Sequence, residues 1–207
     1  YVAFLDPPKP DVEKAVSELY EAGVDVKVLS GDAEPVVANI CSQVGIRREA
    51  AMTGEQVEAL DDAALKEAVE HTNIFARLAP MQKQRVVDAL RANGHVVGYM
   101  GDGVNDAPSL RHADVGISVD TATDIAKESS DIILLEKSLS VLKDGVYEGR
   151  RIYGNIMKYM KMALSGNFGN VFSVLVASIF LPFLPMIPIQ MLIQNLIYDF
   201  TQIAIPW

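Results

Sequence analysis

From Met162 to Tyr198 the chain carries no charged side chain. A soluble helix averages about 10 to 14 residues and keeps a wet face, so a neutral run of this length fits the hydrocarbon interior of a bilayer. Within it, "LPFLPMIP" (Leu181 to Pro188) holds three prolines. Each removes an amide donor and crowds the preceding turn, which ends a helix. The run therefore divides into a span from about Met162 to Leu181 and another from about Ile187 to Trp207. At about 1.5 Å per residue, about 20 residues cross a core about 30 Å thick. The hairpin between them lies on the far side. Arg150, Arg151, Lys158 and Lys161 precede the first span, and basic residues stay on the cytoplasmic side. Residues 1 to about 160 are thus expected in the cytoplasm, and the protein as a multi-pass protein of the cell membrane.

Charge follows the same division. The whole chain of 207 residues has a formal charge of −9. From Arg150 onward the ionisable acids and bases are Arg150, Arg151, Lys158, Lys161 and Asp199, so nearly all the acidity lies upstream. An acidic domain has no face for a phosphate backbone, which argues against nucleic acid as a partner. The single cysteine, Cys41, rules out an internal disulfide and fits a reducing compartment. The opening "YVAFLDPPKP" has no basic region before its apolar run and reads as a strand entering a turn, not a signal peptide. The absence of an initial methionine suggests a piece of a longer chain.

The first 149 residues alternate apolar runs with amphipathic stretches. Candidate strands are "YVAFL", "DVKVLS", "NIFAR", "HVVGYM", "DVGISV" and "DIILL". Candidate helices run near Pro10 to Ala22, Glu34 to Val44, Gly54 to Glu70, Pro80 to Ala92 and Ala107 to His112. Near-continuous apolar strands separated by helices indicate an α/β fold with an open parallel sheet, whose ligands bind at the carboxyl ends of the strands. The expected division is 1–145 for this domain and 146–207 for a stalk and two transmembrane helices, with Lys137 to Arg151 leading into the first span.

Several strands end alike: "AFLD" at Asp6, "VLSGD" at Ser30 to Asp32, and "GYMGDGVND" at Asp102 and Asp106. A parallel sheet brings these ends to one rim. A hydroxyl, glycine amides and clustered carboxylates suit a hard cation such as Mg2+ together with phosphate. Lys83, in "LAPMQKQRVV" at the start of a helix, supplies the positive charge a phosphoryl group needs. Two close acids repel, so a metal ion or a lysine between them accounts for their spacing.

These motifs carry a family resemblance. "DPPK", "SGD", "FARLAPMQK" and "MGDGVNDAPSLRHADVGISV", followed by paired apolar helices, resemble the P-type cation-transporting ATPases, whose phosphorylation domain has the haloacid-dehalogenase-like fold. The resemblance implies a partial domain of that fold followed by a transmembrane helical hairpin, the fifth and sixth membrane helices. It implies ATP and Mg2+ as cofactors. It implies that Ser30 and Gly31 bind the transferred phosphoryl group, that Asp32 helps with nucleotide and metal, and that Lys83 neutralises phosphate oxygens. Asp102 and Asp106 would ligate Mg2+, Asn105 and Asp106 would hold phosphate and metal in register, and Asp6 and Lys9 would lie near the nucleotide.

The chain departs from the family in lacking the "Asp-Lys-Thr-Gly" string that contains the phosphorylated aspartate. The nucleotide-binding insert, the actuator domain and the first four membrane helices are also missing. The segment alone is thus expected not to hydrolyse ATP. "MTGEQV" (Met52 to Val57) contains Thr-Gly-Glu, but Thr53 before an acidic helix reads as ordinary capping.

Polar residues inside a bilayer are costly and generally functional. Asn167 and Asn170 are three apart on the first span, and Asn195 and Asp199 four apart on the second, so each pair shares a helical face. Facing each other they would form an oxygen-rich cation site, where the family's fifth and sixth helices bind cargo. Calcium pumps carry a glutamate at the position of Asn170, which argues against a doubly charged calcium cage. One carboxylate with several amides suits either partly hydrated Mg2+ or a proton-carrying aspartate. The wording from Ser165 to Trp207 resembles the bacterial magnesium-transporting branch, which takes up Mg2+ across the inner membrane. The implied function is a segment of an ATP-driven Mg2+ transporter; the alternatives are a P-type proton or calcium pump, a membrane-tethered phosphatase of the same fold, and a non-catalytic interaction module.

The remaining features have plain readings. His71, His95 and His112 are scattered and do not suggest zinc. Cys41 lies on an amphipathic helix and reads as core. "EQVEALDDAALKEAVEH" reads as a solvated helix face. Gly166 and Gly169 are placed to let two helices approach closely.

Overall fold

The computed structural model describes residues 11–47, 50–136, 138–183 and 185–202. The candidate strand "YVAFL", with Asp6 and Lys9, lies outside the described residues. Two compact units are present, Tyr1–Asp144 and Gly145–Trp207.

The first unit runs α1 (Val12–Glu21), β1 (Val28–Leu29), α2 (Glu34–Gln43), β2 (Ala51–Thr53), α3 (Gly54–Ala59), α4 (Asp62–His71), β3 (Ile74–Ala76), α5 (Pro80–Ala92) and β4 (Gly98–Met100). A 3-10 turn (Val104–Asp106), α6 (Ala107–His112), β5 (Val115–Val119), α7 (Asp124–Glu128) and β6 (Ile132–Leu134) complete it. All strand pairings are parallel. Among the described residues they form two three-stranded sheets, ordered β1-β3-β2 and β4-β5-β6, where the sequence suggested one.

The central strands explain themselves. Ile74, Phe75 and Ala76 of β3 are fully buried, as are most residues of β5, which is the signature of strands covered on both faces. One cluster gathers Val57, Leu65, Val69, Phe75, Leu78, Val86, Ala89 and Leu90. A second gathers Val87, Tyr99, Leu110, Ile117, Val119, Ala122, Ala126 and Leu134. Helix α5 serves both: Val86 and Leu90 face the first and Val87 the second. Leu29 and Val97 pack against both clusters. Cys41 is buried with Val37, Ile74 and Ala76.

The expected helix from Gly54 to Glu70 is two helices. Leu60 is extended (φ −83°, ψ 140°), and Asp61 caps α4 by accepting the amide of Ala64 at 2.8 Å. Gln56 accepts the Thr53 amide at 2.8 Å, half of a capping box, so Thr53 opens α3 as read from the sequence. The strand β2 just before it was not anticipated. Its three residues are too short to show alternation, and its pairing with β3 supplies the order.

The helical unit consists of most of α8 (Leu139–Phe180) and of α9 (Pro188–Gln202). The residues expected to form the stalk and the first span lie largely on one helix of 42 residues. It ends just before Leu181-Pro182, where the residue preceding proline is pushed out of helical geometry. Pro188 opens α9 in the position where its missing amide costs nothing. Helix α8 meets the length and apolarity needed to cross a membrane, and none of its residues is buried.

Candidate functional site

Two loops and one helix build the site in the first unit. The loop after β1 holds Ser30, Gly31 and Asp32. Ser30 Oγ donates to Asp32 Oδ2 at 2.9 Å and accepts the Asp32 amide at 3.1 Å. The segment before α5 is tied to this loop: the amide of Leu78 donates to Ser30 O at 3.0 Å and that of Arg77 to Asp32 O at 2.8 Å. Arg77 has a φ of 52°, the only positive value at a non-glycine among the described residues. It turns the chain sharply from β3 into α5, whose second turn carries Lys83.

Lys83 crosses to the loop after β4. Its Nζ donates to Asp106 Oδ1 at 2.8 Å, with the lysine and aspartate side chains 13% and 14% exposed. Tyr99, on β4, donates its hydroxyl to the same Oδ1 at 2.8 Å. The amide of Gly103 reaches Oδ2 at 3.3 Å. Burial acts to raise the Asp106 pKa, but the Lys83 and Tyr99 donors outweigh it and hold the carboxyl below its ordinary value. Burial, followed by the charge of Asp106, pushes the Tyr99 phenol far above its ordinary value, so it remains a donor. Gly101 is required by contact: a methyl group there would lie 2.5 Å from Cβ of Asp106.

Asp102 and Asn105 are exposed on the same loop. The carbonyl of Asp102 accepts the Thr123 amide at 3.1 Å, and Ser118 Oγ holds the Gly101 carbonyl at 2.9 Å. Hydrogen bonds thus tie the loop from Ser30 to Asp32 to the segment before α5, and separately tie Lys83, on that helix, to the loop that carries Asp106. Asp6 and Lys9 lie outside the described residues. Sequence reading did not single out Tyr99 or Gly101. Tyr99 is buried between exposed Gly98 and Met100 on β4, and nothing in the sequence marked its hydroxyl as part of the site.

Mg2+ usually takes one or two carboxylates and completes its shell with substrate phosphate oxygens and water. The donor set fits that pattern through Asp102, whose side chain faces solvent. Asp106 is differently placed, since its Oδ1 already accepts two donors. Among the described residues, no group of three His, Cys, Asp or Glu side chains gathers to hold a metal without such outside ligands.

In the helical unit, Gln194 Nε2 donates to Asn170 Oδ1 at 2.8 Å, and Tyr198 OH to Met162 O at 3.3 Å. Gly166 lies against Tyr198, so that an added methyl group would collide with the tyrosine ring; Gly169 has open space. The half-buried stripe of α8 is Ala163, Gly166, Asn170, Val174 and Ala177. Asn167, Asn195 and Asp199 are exposed. Asn170 therefore meets Gln194, a residue not singled out from the sequence, and the other three polar residues lie off this contact.

A parallel α/β fold with a lysine-paired aspartate and a second, exposed aspartate at strand ends has the residue types that could hold a phosphate with a cation. Residues 1–114 match the family of haloacid dehalogenase-like hydrolases, and the chain belongs to that family. It is 61% identical over 206 residues to the "Magnesium-transporting ATPase, P-type 1" of Salmonella typhimurium strain LT2, covering 100% of this chain and 23% of that protein. It is 58% identical over 207 residues to the protein of the same description from Escherichia coli K12, with the same coverage. The chain spans about a quarter of the length of these curated relatives. A crystal structure of a zinc-transporting PIB-type ATPase in the E2.Pi state matches with a TM-score of 0.64 and 27% identity, over 84% of this chain and 24% of that one.

Proposed function

We propose that the chain is the phosphorylation-domain and membrane-hairpin segment of an ATP-driven Mg2+ transporter that works through an aspartyl phosphate. The observation that carries this reading is the Lys83–Asp106 pair beside the exposed Asp102 at the strand ends, joined with the strong likeness to magnesium-transporting relatives along the whole chain. In the transfer, a carboxylate oxygen of an aspartate elsewhere in the parent protein bonds to the γ-phosphorus of ATP. The bond to the β–γ bridging oxygen breaks, and ADP leaves with its electron pair.

The residues of this chain hold that reaction in place. Ser30 and the Gly31 amide bind oxygens of the transferred group, and Asp32, with Asp6 and Lys9, serves the nucleotide. Lys83 neutralises the phosphoryl charge while Asp106 fixes the lysine, and Asn105 orients the phosphate. Asp102, assisted by Asp106, would hold the Mg2+ that offsets charge on the phosphate oxygens. Such sites work almost wholly by positioning and charge. The helical unit would carry the cargo along Asn167, Asn170, Asn195 and Asp199, in the cell membrane with residues 1 to about 160 in the cytoplasm.

The test is ATP-dependent movement of Mg2+, Ca2+ or H+ by the intact parent in liposomes, with Asp199→Ala as the control. Mg2+ movement that disappears in the variant supports ion and site. Movement of Ca2+ or H+ would retain a pump and discard magnesium, and ATP cleavage without ion movement would favour a tethered phosphatase.

A further inference from the structure

We propose that Tyr99 is a positioning residue for phosphoryl transfer, acting through Asp106 to hold Lys83 at the phosphate; the proposal rests on the reading above. Lys83 is the only cation within hydrogen-bonding distance of Asp106 among the described residues, and it and the Tyr99 hydroxyl donate to the same carboxylate oxygen, Oδ1. Lysine is a flexible cation with three rotatable donors. Its carboxylate anchor is useful only if the carboxylate itself is fixed.

The anchor is fixed from three sides. The Tyr99 hydroxyl and Lys83 Nζ each lie 2.8 Å from Oδ1, and the Gly103 amide approaches Oδ2 at 3.3 Å. The backbone of Gly101 closes against the aspartate's own stem, leaving no room for a methyl group. Of these restraints only the phenol comes from the core. Tyr99 is 8% exposed and packed among Val87, Leu110 and Ile117, so its ring cannot swing with the loop. It carries the rigidity of β4 to the tip of a side chain on the following turn, the kind of support that keeps a reacting geometry within a fraction of an ångström.

A ring with no polar tip would fill the same space. The presence of a hydroxyl there, spent on the oxygen that receives the lysine, is what a positioning role requires and a packing role does not. The polar tip of Tyr99 thus lies where core and site meet.

The test uses the intact parent, its wild type and Tyr99→Phe, with rapid-quench labelling from radioactive ATP. Tyr99→Phe keeps the ring and its packing. The expected result is a rate of phosphoenzyme formation reduced about tenfold, with the final level of labelled protein, the KM for ATP and the melting temperature unchanged. A wild-type rate in Tyr99→Phe overturns the proposal. So does a reduced final level with an unchanged rate, because that marks fewer folded molecules and hence a structural role. As a second arm, Tyr99→Phe is repeated on Asp106→Asn: a hydroxyl that acts through Asp106 adds no further slowing, and an independent tenfold loss there would overturn the route. If the wild-type parent itself forms no phosphoenzyme, the function proposed above fails, and this proposal with it; failure of Tyr99 alone leaves the function standing.

Discussion

The two units solve the same problem in opposite ways. The α/β unit removes Ile74, Phe75, Val57 and Val69 from water completely and gives nearly every buried polar group a partner. The helical unit leaves Phe168, Phe172, Ile179 and Phe180 uncovered, each more than half exposed, and buries no residue of α8. Apolar surface of that extent is stable only against lipid or other protein. One unit carries its own core, while the other needs its surroundings to supply one. Polar groups differ accordingly. Asp106 has three donors in its own unit, whereas Asp199 is turned outward.

The largest expected effect lies in the self-sufficient unit. Asp102→Asn in the intact parent should lower phosphoenzyme formation by about a thousandfold, the upper range for one preorganised electrostatic group; near-normal labelling from ATP would remove Asp102 from the site. Next is Lys83→Met, which leaves a half-buried carboxylate without its cation and should destabilise this unit by about 3 kcal/mol. The double change Lys83→Met with Asp106→Leu should recover much of that loss in a melting experiment, since the stranded charge goes with it. Without recovery, the pair is not the cause.

In the helical unit the effects should be smaller and depend on contact. Gly166→Leu drives a side chain into Tyr198 and should weaken the α8–α9 association by about 1 to 3 kcal/mol, measurable as a lower melting temperature of the parent in detergent. Gly169→Ala meets open space and should change stability by less than about 0.5 kcal/mol. A reversal of these two would show that the helices pack on another face. Acid completes the series. Asp106 has a folded pKa below its unfolded value of about 3.9, so its contribution is complete above that value and is lost as pH falls through the folded one. Asp106→Asn should therefore flatten the fall in stability below about pH 4, and an unchanged slope would assign the acid sensitivity elsewhere.

How much was legible in the sequence follows from how local each signal is. The "GDGVND" loop and Lys83 could be read because chemistry demands those residue types, and Pro188 and Pro182 marked helix ends because proline acts on its own neighbours. The break at Leu60 was hidden: both sides have helical composition, and it is Asp61 capping α4 that divides them. β2 escaped because three residues carry no period. Tyr99 was only one letter of the candidate strand "HVVGYM"; the 2.8 Å distance from its hydroxyl to Asp106 is what shows its attachment to the site. In the helical unit, Asn167 and Asn170 were grouped by spacing alone. The small residues Ala163, Gly166 and Ala177 set the contact stripe instead, and that stripe includes Asn170 but not Asn167.

In the proposed transporter, chemistry in the first unit drives an ion past the second, so ATP hydrolysis and Mg2+ movement should be measured together in one liposome preparation of the parent, for wild type, Asp102→Asn and Asp199→Ala. Both activities are expected in the wild type, neither in Asp102→Asn, and no Mg2+ movement in Asp199→Ala. Mg2+ movement that persists in Asp102→Asn, or at the wild-type rate in Asp199→Ala, would contradict the proposal.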